Sequence, residues 1–287
     1  MHHDRALEIA LSNPLAKNLE TIPIDHANGR VLAKPLASYV DDPRFDNSAM
    51  DGFAVRASDC EEGPSTLTVV GVSQTGGEHP PAIGPGQACR IMTGAPLPEG
   101  ADAIVMVEDT KVDGTRVTIL GPARTGYIRR RAENLSRGQE ALPAGATLSS
   151  ATLALAGTMG YGEVEVVKKP TIAILSTGDE LVPPGSELAP GQIYESNSHA
   201  LASLVESMGC HAVRYESVID SMDELRTNLD KLSGHDAILT SGGVSMGEWD
   251  LVRRIMEEEG NLSFWRMRIR PGGPPLFGSW GGTPIFG

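Results

Sequence analysis

The chain has 287 residues, with 24 Lys or Arg against 37 Asp or Glu, so its formal net charge is −13. This length predicts two or three domains, because ordinary domains contain ~100–200 residues. The acidic balance argues against a nucleic-acid partner, since proteins that bind nucleic acids usually carry a basic surface. An anionic ligand would therefore have to be bound by local groups, such as backbone N–H groups, a few arginines or a metal ion.

Cysteine usage and hydropathy predict the compartment. The three cysteines, Cys60, Cys89 and Cys210, are far apart and include no CxxC pair, which argues against a disulfide framework or a cysteine zinc site. No apolar run approaches the ~20 residues that span a bilayer, and the first residues contain no signal-peptide core. We expect a soluble cytoplasmic protein, with His2 and His3 part of a disordered start rather than metal ligands.

The first 170 residues predict a β-rich region followed by one helix. Short β-like runs broken by Gly and Pro fill residues 20–127, which favours antiparallel hairpins and small sheets. The segment SSATLALAGTMG (149–160) has a serine cap and ends in glycine, as helices often do. The run GEVEVVKKP then predicts a strand closed by Pro170.

From Thr171 onward, strands and helices alternate. TIAIL and DAILTSGG are typical of buried strands, and AVRYESVI is also strand-like. Between them, residues 197–208 place Leu201, Leu204, Val205 and Met208 on one helical face. SMDELRTNLDKL begins with a capping box of Ser221 and Glu224 and buries three leucines, and EWDLVRRIMEEEG predicts a third helix. This βαβαβα order predicts a doubly wound parallel sheet.

Two loops leave the carboxyl ends of predicted parallel strands, where ligands bind in open α/β sheets. The first contains Ser176, Thr177, Gly178, Asp179 and Glu180, and the second contains Ser241, Gly242, Gly243, Ser245 and Asp250. Small residues allow close backbone approach to an anion, and the acids suit Mg²⁺ or a heterocycle. Two alternatives stay open: Asp179 as an Asx turn or helix cap, and Asp250 as an acid favoured in a first helical turn.

Two further segments carry chemistry-bearing residues. The stretch FDNSAMDGFAVR (45–56) is either a polar turn or part of an active site, and local patterns leave this open. The basic run YIRRRAENL (127–135) is either a solvated face or an arginine clamp for an oxyanion. No Walker A run or GxGxxG follows a strand, which argues against ordinary NTPases and dinucleotide enzymes.

Several of these segments together resemble one family along the whole chain. They are DNSAMDGFAVR (46–56), IMTGAPLPEGADAIVMVED (91–109), IRRRAENL (128–135), LSTGDEL (175–181) and TSGGVSMGEWD (240–250). In this order they resemble the molybdopterin molybdenumtransferases, the MoeA family to which the E domain of gephyrin is related. The resemblance implies insertion of molybdenum from molybdate into adenylated molybdopterin, with Mg²⁺ required and AMP released.

The resemblance also implies a fold and an assembly. An elongated N-terminal region (1–45 and 132–170) would contain an inserted β-rich domain (46–131), followed by a molybdopterin-binding α/β domain (171–287). The family's small C-terminal β-barrel is absent from this sequence. The family forms homodimers, in which the α/β domain of one subunit and the inserted domain of the other form each site. A molybdopterin adenylyltransferase is an expected partner.

The same resemblance assigns roles to individual residues. Asp51 would be the principal carboxylate of its segment, with Thr93 beside it, and Asp250 and Arg270 would complete the catalytic set. Asp179, Asp250 and Asp51 would bind the metal ion. Residues of the two loops would contact the pterin ligand: Ser176, Thr177, Gly178, Asp179, Glu180, Ser241, Gly242, Gly243 and Ser245.

The sequence departs from the family at three places. Residues 270–274 read RPGGP where the family reads KPGKP, so Gly273 replaces a lysine expected near the anionic substrate. The family often has aspartate where Asn134 stands. The chain stops at Gly287, before the barrel, so we expect a fragment whose α/β domain is incomplete and whose sheet has an unpaired edge.

Two other functions compete with metal insertion. One is a molybdopterin adenylyltransferase, which uses the same α/β domain but does not need residues 1–170. The other is a binding or scaffold protein that keeps the pocket without catalysis, for which Gly273 and the missing barrel are the motivation. Molybdate and tungstate are nearly isosteric, so the sequence does not distinguish which metal is delivered.

Overall fold

The chain forms two compact units. A computed structural model describes residues 1–61, 64–242, 250–269 and 274–287. One unit combines Met1–Glu20 with Val166–Gly287, and the other is Thr21–Glu165. The first twenty residues thus fall with the α/β unit, whereas the three-part division predicted from the sequence stays a prediction. No helix in the described ranges is long and apolar enough to cross a membrane.

The secondary structure of the described residues follows in chain order. The helices are α1 (His3–Leu11), α2 (Ser150–Thr158), α3 (Asn197–Ser207), α4 (Met222–Leu232) and α5 (Leu251–Glu258). The strands are β1 (Leu19–Pro23), β2 (Leu36–Ala37), β3 (Asn47–Ser48), β4 (Gly52–Val55), β5 (Ser65–Ser73), β6 (Gln87–Ile91), β7 (Ala103–Met106), β8 (Thr110–Asp113), β9 (Arg116–Ile119), β10 (Ile128–Arg129), β11 (Glu140–Leu142), β12 (Glu163–Val167), β13 (Thr171–Ser176), β14 (Leu181–Val182), β15 (Ile193–Tyr194), β16 (His211–Arg214), β17 (Ala237–Ser241), β18 (Asn261–Trp265), β19 (Leu276–Trp280) and β20 (Thr283–Phe286).

The β-rich unit is built on a sheet of six described strands in the order β7-β4-β6-β5-β9-β8. The prediction of antiparallel pairing holds except between β5 and β6, which run parallel. The thirteen residues that connect them return the chain to its starting direction, and a tight hairpin could not do so. Phe53, Val105 and Val117 pack on one face of this sheet and form its core.

Short strand pairs flank this sheet along the chain. Strand β2 pairs with β11 and β3 with β10, so the segments before and after the six-stranded sheet hydrogen-bond to each other. Helix α2 begins at the predicted serine cap. The Ser149 hydroxyl accepts from the Thr152 N–H and the Thr152 hydroxyl accepts from the Ser149 N–H, which is a reciprocal capping box.

The α/β unit contains a sheet of six described strands in the order β16-β13-β17-β20-β19-β18. Strands β16, β13, β17 and β20 are parallel as predicted, but β18, β19 and β20 pair antiparallel. The antiparallel pairing of β19 with β20 follows from the turn between them. Gly281 and Gly282 both have positive φ, and two such residues close a tight hairpin that reverses the chain.

The position of strand β20 bears on the expected unpaired edge of the sheet. Strand β20 is the last strand of the chain, and it lies inside the sheet, with β17 on one side and β19 on the other. The edges of this sheet are β16 and β18.

The core of the α/β unit follows the predicted leucine spacing of α4. Leu225, Leu229 and Leu232 are fully buried, together with Val252 and Ile255 of α5. The predicted capping box of α4 is only half formed. The Ser221 hydroxyl accepts from the Glu224 N–H, but no reciprocal bond joins the Glu224 side chain to Ser221 among the described residues.

Helix α3 spans nearly the predicted residues, but its buried face is narrower. Val205 is buried and Leu201 is partly buried, whereas Leu204 is 51% and Met208 70% exposed. Leu201 and Val205 are four residues apart and form one row along the helix. The helix rests on that row, so the prediction that Leu204 and Met208 share the buried face is wrong.

The two described tryptophans, Trp265 and Trp280, belong to the α/β unit. The buried Trp280 donates its indole N–H to Asp230 Oδ1 over 2.8 Å. Trp265 lies at the end of β18, where the guanidinium of Arg253 stacks 3.7 Å from the ring centroid. These contacts tie α4 and the first turn of α5 to the antiparallel part of the sheet.

Candidate functional site

The two predicted loops of the α/β unit begin side by side. Strands β13 and β17 are parallel neighbours, and Ser176 pairs with Ser241 at their carboxyl ends. The Thr177 N–H donates to the Ser241 carbonyl over 3.0 Å. Both loops therefore start at one edge of the sheet, as their place after neighbouring strands predicts.

Gly242 allows the two loops to approach closely. Its φ is +98°, and an added Cβ would lie 2.5 Å from the carbonyl oxygen of Thr177. The Thr177 hydroxyl is buried and has no hydrogen-bond partner within the described residues. An orphaned buried hydroxyl is costly, so this hydroxyl is suited to donate to a polar ligand or a water. Gly243 and Ser245, predicted to bind ligand beside it, lie outside the described residues, as does Arg270.

Acids gather where the loops leave the sheet. Asp179 Oδ1 accepts a hydrogen bond from the backbone N–H of Asp220 over 2.9 Å. This bond spans 41 residues, so it is neither the local Asx turn nor the helix cap considered for Asp179. Burial and nearby negative charge raise the pKa of Asp220 above its ordinary value. The charges come from Asp179, Glu180 and Asp250, which places four acids in one neighbourhood.

Asp220 was missed by the sequence reading, although a signal for it existed. The run AVRYESVI was predicted as a strand, and Asp220 is the next residue. In the structure β16 ends earlier, at Arg214, and Thr177 bridges to Val218 beyond it. Asp220 therefore follows a predicted strand, as Asp179 does.

The donor set of these acids fits a divalent cation of the Mg²⁺ type. Carboxylate oxygens are its preferred protein ligands, and Mg²⁺ commonly binds one or two carboxylates, several waters and a phosphate. The carboxylate oxygens of these four described acids do not lie close enough together to coordinate one ion without rearrangement. Among the described residues, the one group of three potential ligand atoms within 4.8 Å of one another is His2, His3 and Asp4, which are exposed.

Asp51 and Thr93 come together in the β-rich unit. Asp51 Oδ1 accepts from the Thr93 N–H over 2.7 Å and from the Thr93 hydroxyl over 3.0 Å. These two bonds, in that order, and the charge of Arg90 hold the pKa of Asp51 below its ordinary value. The carboxylate is exposed and is therefore available to a ligand as an ionised acceptor.

The local sequence explains why Asp51 is held in place. The buried Ser48 hydroxyl donates to the Met50 carbonyl and accepts from the Met50 N–H, which closes the turn before Asp51. The Gly94 N–H donates to the Ser48 carbonyl over 2.7 Å and brings the Thr93 turn onto the same strand. Gly52 follows at once, where a Cβ would lie 2.0 Å from the Val105 carbonyl oxygen.

Comparisons with known proteins identify the family of this chain. Residues 1–160 match the family profile described as "MoeA N-terminal region (domain I and II)". Residues 173–287 match a second profile, described as "Probable molybdopterin binding domain". This chain belongs to the MoeA family.

Relatives and solved structures support this membership in the MoeA family. A molybdopterin molybdenumtransferase of Nostoc sp. is 38% identical over 90% of this chain and 61% of its own length. One of Haemophilus influenzae is 37% identical over 92% of this chain and 66% of its own. A crystal structure of the MoeA protein of Pyrococcus horikoshii has a TM-score of 0.88 at 33% identity, covering all of this chain and 74% of its own. The chain therefore spans about two thirds of the length of the curated relatives it matches.

Two arginines of the basic run in this MoeA-family chain pair with acids of the same unit. Arg130 pairs with Asp46 over 2.6 Å, and Arg131 pairs with Asp41 over 2.5 Å. Both side chains are more than half exposed, as the solvated face predicts, and the acids that neutralise them argue against an oxyanion clamp. Asn134 donates to Asp42 Oδ2 over 3.1 Å and so takes part in the same polar region.

Replacing Asp220 by asparagine is expected to raise the thermal stability of the ligand-free protein. A carboxyl whose pKa is raised in the folded state costs stability once it ionises, so the cost appears as pH rises above its ordinary value of 3.8. We expect Asp220→Asn to raise the melting temperature of the α/β unit by about 1–3 °C at pH 7 in EDTA. The gain should shrink as pH falls toward 4.

Asp223→Asn is the matched control for this measurement. Asp223 lies in the first turn of α4, is 92% exposed and pairs with Arg226. Its replacement removes favourable charge from a helix N-terminus, so it should not stabilise the protein. An equal rise in both variants would show that net charge, rather than crowding of the four acids, is responsible.

Proposed function

We propose that this chain acts as a molybdopterin molybdenumtransferase. It would bind adenylated molybdopterin and molybdate, insert the metal into the pterin and release AMP. The observation that carries the proposal is the meeting of the two loops, where Thr177 leaves an orphaned hydroxyl beside Asp179, Asp220 and Asp250. The name shared by the curated relatives supports the same activity.

Each group would contribute in a definite way. Asp179 and Asp250, with Asp220 added from the structure, would hold Mg²⁺, which neutralises phosphate charge when it is bound. The metal role of Asp51 rests on the family resemblance alone. The Thr177 hydroxyl would donate to a polar atom of the ligand, and Gly242 would leave room for it. Asp51, kept ionised by the two bonds from Thr93, would accept a hydrogen bond from water or from a protonated substrate oxygen.

Several finer points belong to the same proposal. We expect a homodimer in the cytoplasm that receives its pterin substrate from a molybdopterin adenylyltransferase. The ligand roles of Ser176, Gly178, Glu180 and Ser241 follow from their places in the two loops. Arg270, Gly243 and Ser245 keep their expected roles from the family resemblance alone.

AMP release is the test. We expect the 287-residue chain to release AMP from adenylated molybdopterin only when molybdate and Mg²⁺ are both present. EDTA should abolish the release because the four acids would then repel the phosphate. The measurement is AMP formed per enzyme over time, separated chromatographically.

The competing functions give different results in the same assay. Consumption of ATP with free molybdopterin would identify an adenylyltransferase. Tight binding of adenylated molybdopterin without AMP release, with and without molybdate, would identify a binding protein. Either result would contradict the proposed transferase.

A further inference from the structure

A buried carboxylate lies directly below the first ligand loop. Glu195 is 6% exposed and follows β15. Its Oε1 accepts from the Ser176 hydroxyl over 3.0 Å and from the Ser198 N–H over 2.7 Å. Its Oε2 accepts from the Ser198 hydroxyl over 2.5 Å, and Arg214 Nη2 lies 3.9 Å away.

The surroundings of Glu195 keep it ionised. Burial raises its pKa, but hydrogen bonds from Ser198 and Ser176 and the charge of Arg214 outweigh burial, so the pKa lies below its ordinary value. Arg214 is itself oriented, since its Nε donates to the Ser198 hydroxyl over 2.8 Å. A buried charge is tolerated only when such partners surround it, so this network has one well-defined geometry.

The second ligand loop is held by the same short segment. Asn197, the first residue of α3, donates its side-chain N–H to the Ser241 hydroxyl over 2.8 Å. Glu195 contacts the last residue of β13, and Asn197 contacts the last residue of β17. Residues 195–198 therefore connect the ends of both strands from which the ligand loops leave.

We propose that residues 195–198 are a positioning element of the binding site. The hydrogen bond from Ser176 to Glu195 holds Ser176 in position, and the hydrogen bond from Asn197 holds Ser241. The two loops therefore keep the separation at which both can contact one ligand. Neither side chain needs to touch the ligand, since each acts through a serine. This inference rests on the proposed function only in taking adenylated molybdopterin as that ligand.

The main test is a double-mutant cycle of Asn197→Ala and Ser241→Ala. Asn197 is exposed, so its truncation should leave the fold intact. We expect Asn197→Ala to raise the Kd for adenylated molybdopterin about 3- to 10-fold, the size of one lost hydrogen bond. In the Ser241→Ala background the same change should have almost no effect, because its partner is already gone. Binding is measured by calorimetry with Mg²⁺ present.

The exchange rate of the Thr177 amide is a second measurement that needs no ligand. This amide donates to the Ser241 carbonyl. We expect Asn197→Ala to speed its exchange with deuterium about 10-fold, because Ser241 is then less restrained. Glu195→Gln should act likewise through Ser176, since the amide has one acceptor oxygen in place of the two that accept from Ser176 and Ser198.

Asn228→Ala provides the matched control. Asn228 donates to the Glu224 carbonyl within its own helix and lies outside both loops, so its loss should leave Kd and Thr177 exchange unchanged. Unchanged Kd and exchange in Asn197→Ala, or additive effects with Ser241→Ala, would overturn the positioning role. If the wild-type chain does not bind the ligand, the proposed function fails, and Thr177 exchange alone decides the positioning role.

Discussion

Replacing Asp51 by asparagine is expected to lower kcat for molybdate-dependent AMP release by about 100-fold or more. Asparagine keeps the shape of the side chain and one oxygen that Thr93 can contact. It removes the negative charge that the two Thr93 bonds stabilise. If Asp51 acts on the reacting groups, kcat falls while KM changes little. Initial rates over a range of substrate concentrations separate the two constants.

Asp59→Asn is the control for this effect. Asp59 lies in the same unit, and its Oδ2 accepts from the Gly86 N–H over 2.9 Å, so it too is an acid bonded to backbone. It has no part in the proposed site, and its variant should keep full activity. Equal activity of wild type and Asp51→Asn would remove Asp51 from the catalytic set, whatever its role in the turn.

Gly52→Ala is expected to destabilise the β-rich unit by about 3 kcal/mol or more. Strand β4 lies between β6 and β7, and an added Cβ at Gly52 would sit 2.0 Å from the backbone oxygen of Val105. Backbone on a paired neighbouring strand cannot move aside as a flexible side chain could. Urea unfolding followed by far-UV circular dichroism measures the loss.

Gly157→Ala should raise, rather than lower, the free energy of unfolding of the β-rich unit. Gly157 is an exposed residue of α2 in the same unit, and a Cβ there meets no atom within 4 Å. Alanine in a helix interior is favoured over glycine by about 0.5–1 kcal/mol, so this variant should be slightly more stable. Comparable losses in both variants would mean that the close approach at Gly52 is not the cause.

The helices and buried strands of the α/β unit could be predicted because their patterns are local. The leucines of α4 and the apolar runs of β13 and β17 specify periodicity and burial without reference to the rest of the chain. Whether two strands pair parallel or antiparallel cannot be read from the pattern of either strand alone. The parallel β5–β6 pair and the antiparallel β18–β20 region depend on where a connection returns the chain, which periodicity does not contain.

The predicted site divides in the same way. Asp179, Ser241 and their neighbours could be proposed from the sequence because loops at strand ends can be recognised there. The contacts of Glu195 and Asn197 with Ser176 and Ser241 could not, because these residues lie 19 and 44 positions apart along the chain. The pairing of Arg130 and Arg131 with acids 84 to 90 residues distant was beyond local patterns for the same reason.

The positions of the tryptophans allow intrinsic fluorescence to report on one of the two units. Because residues 21–165 contain no tryptophan, emission excited near 295 nm does not come from the β-rich unit and reports on Trp265 and Trp280 of the α/β unit. Trp280, buried and bonded to Asp230, should shift to longer wavelength when α4 separates from the sheet. A Gly52→Ala variant would therefore lose circular dichroism ellipticity at lower urea than it loses its blue emission, if the units unfold independently.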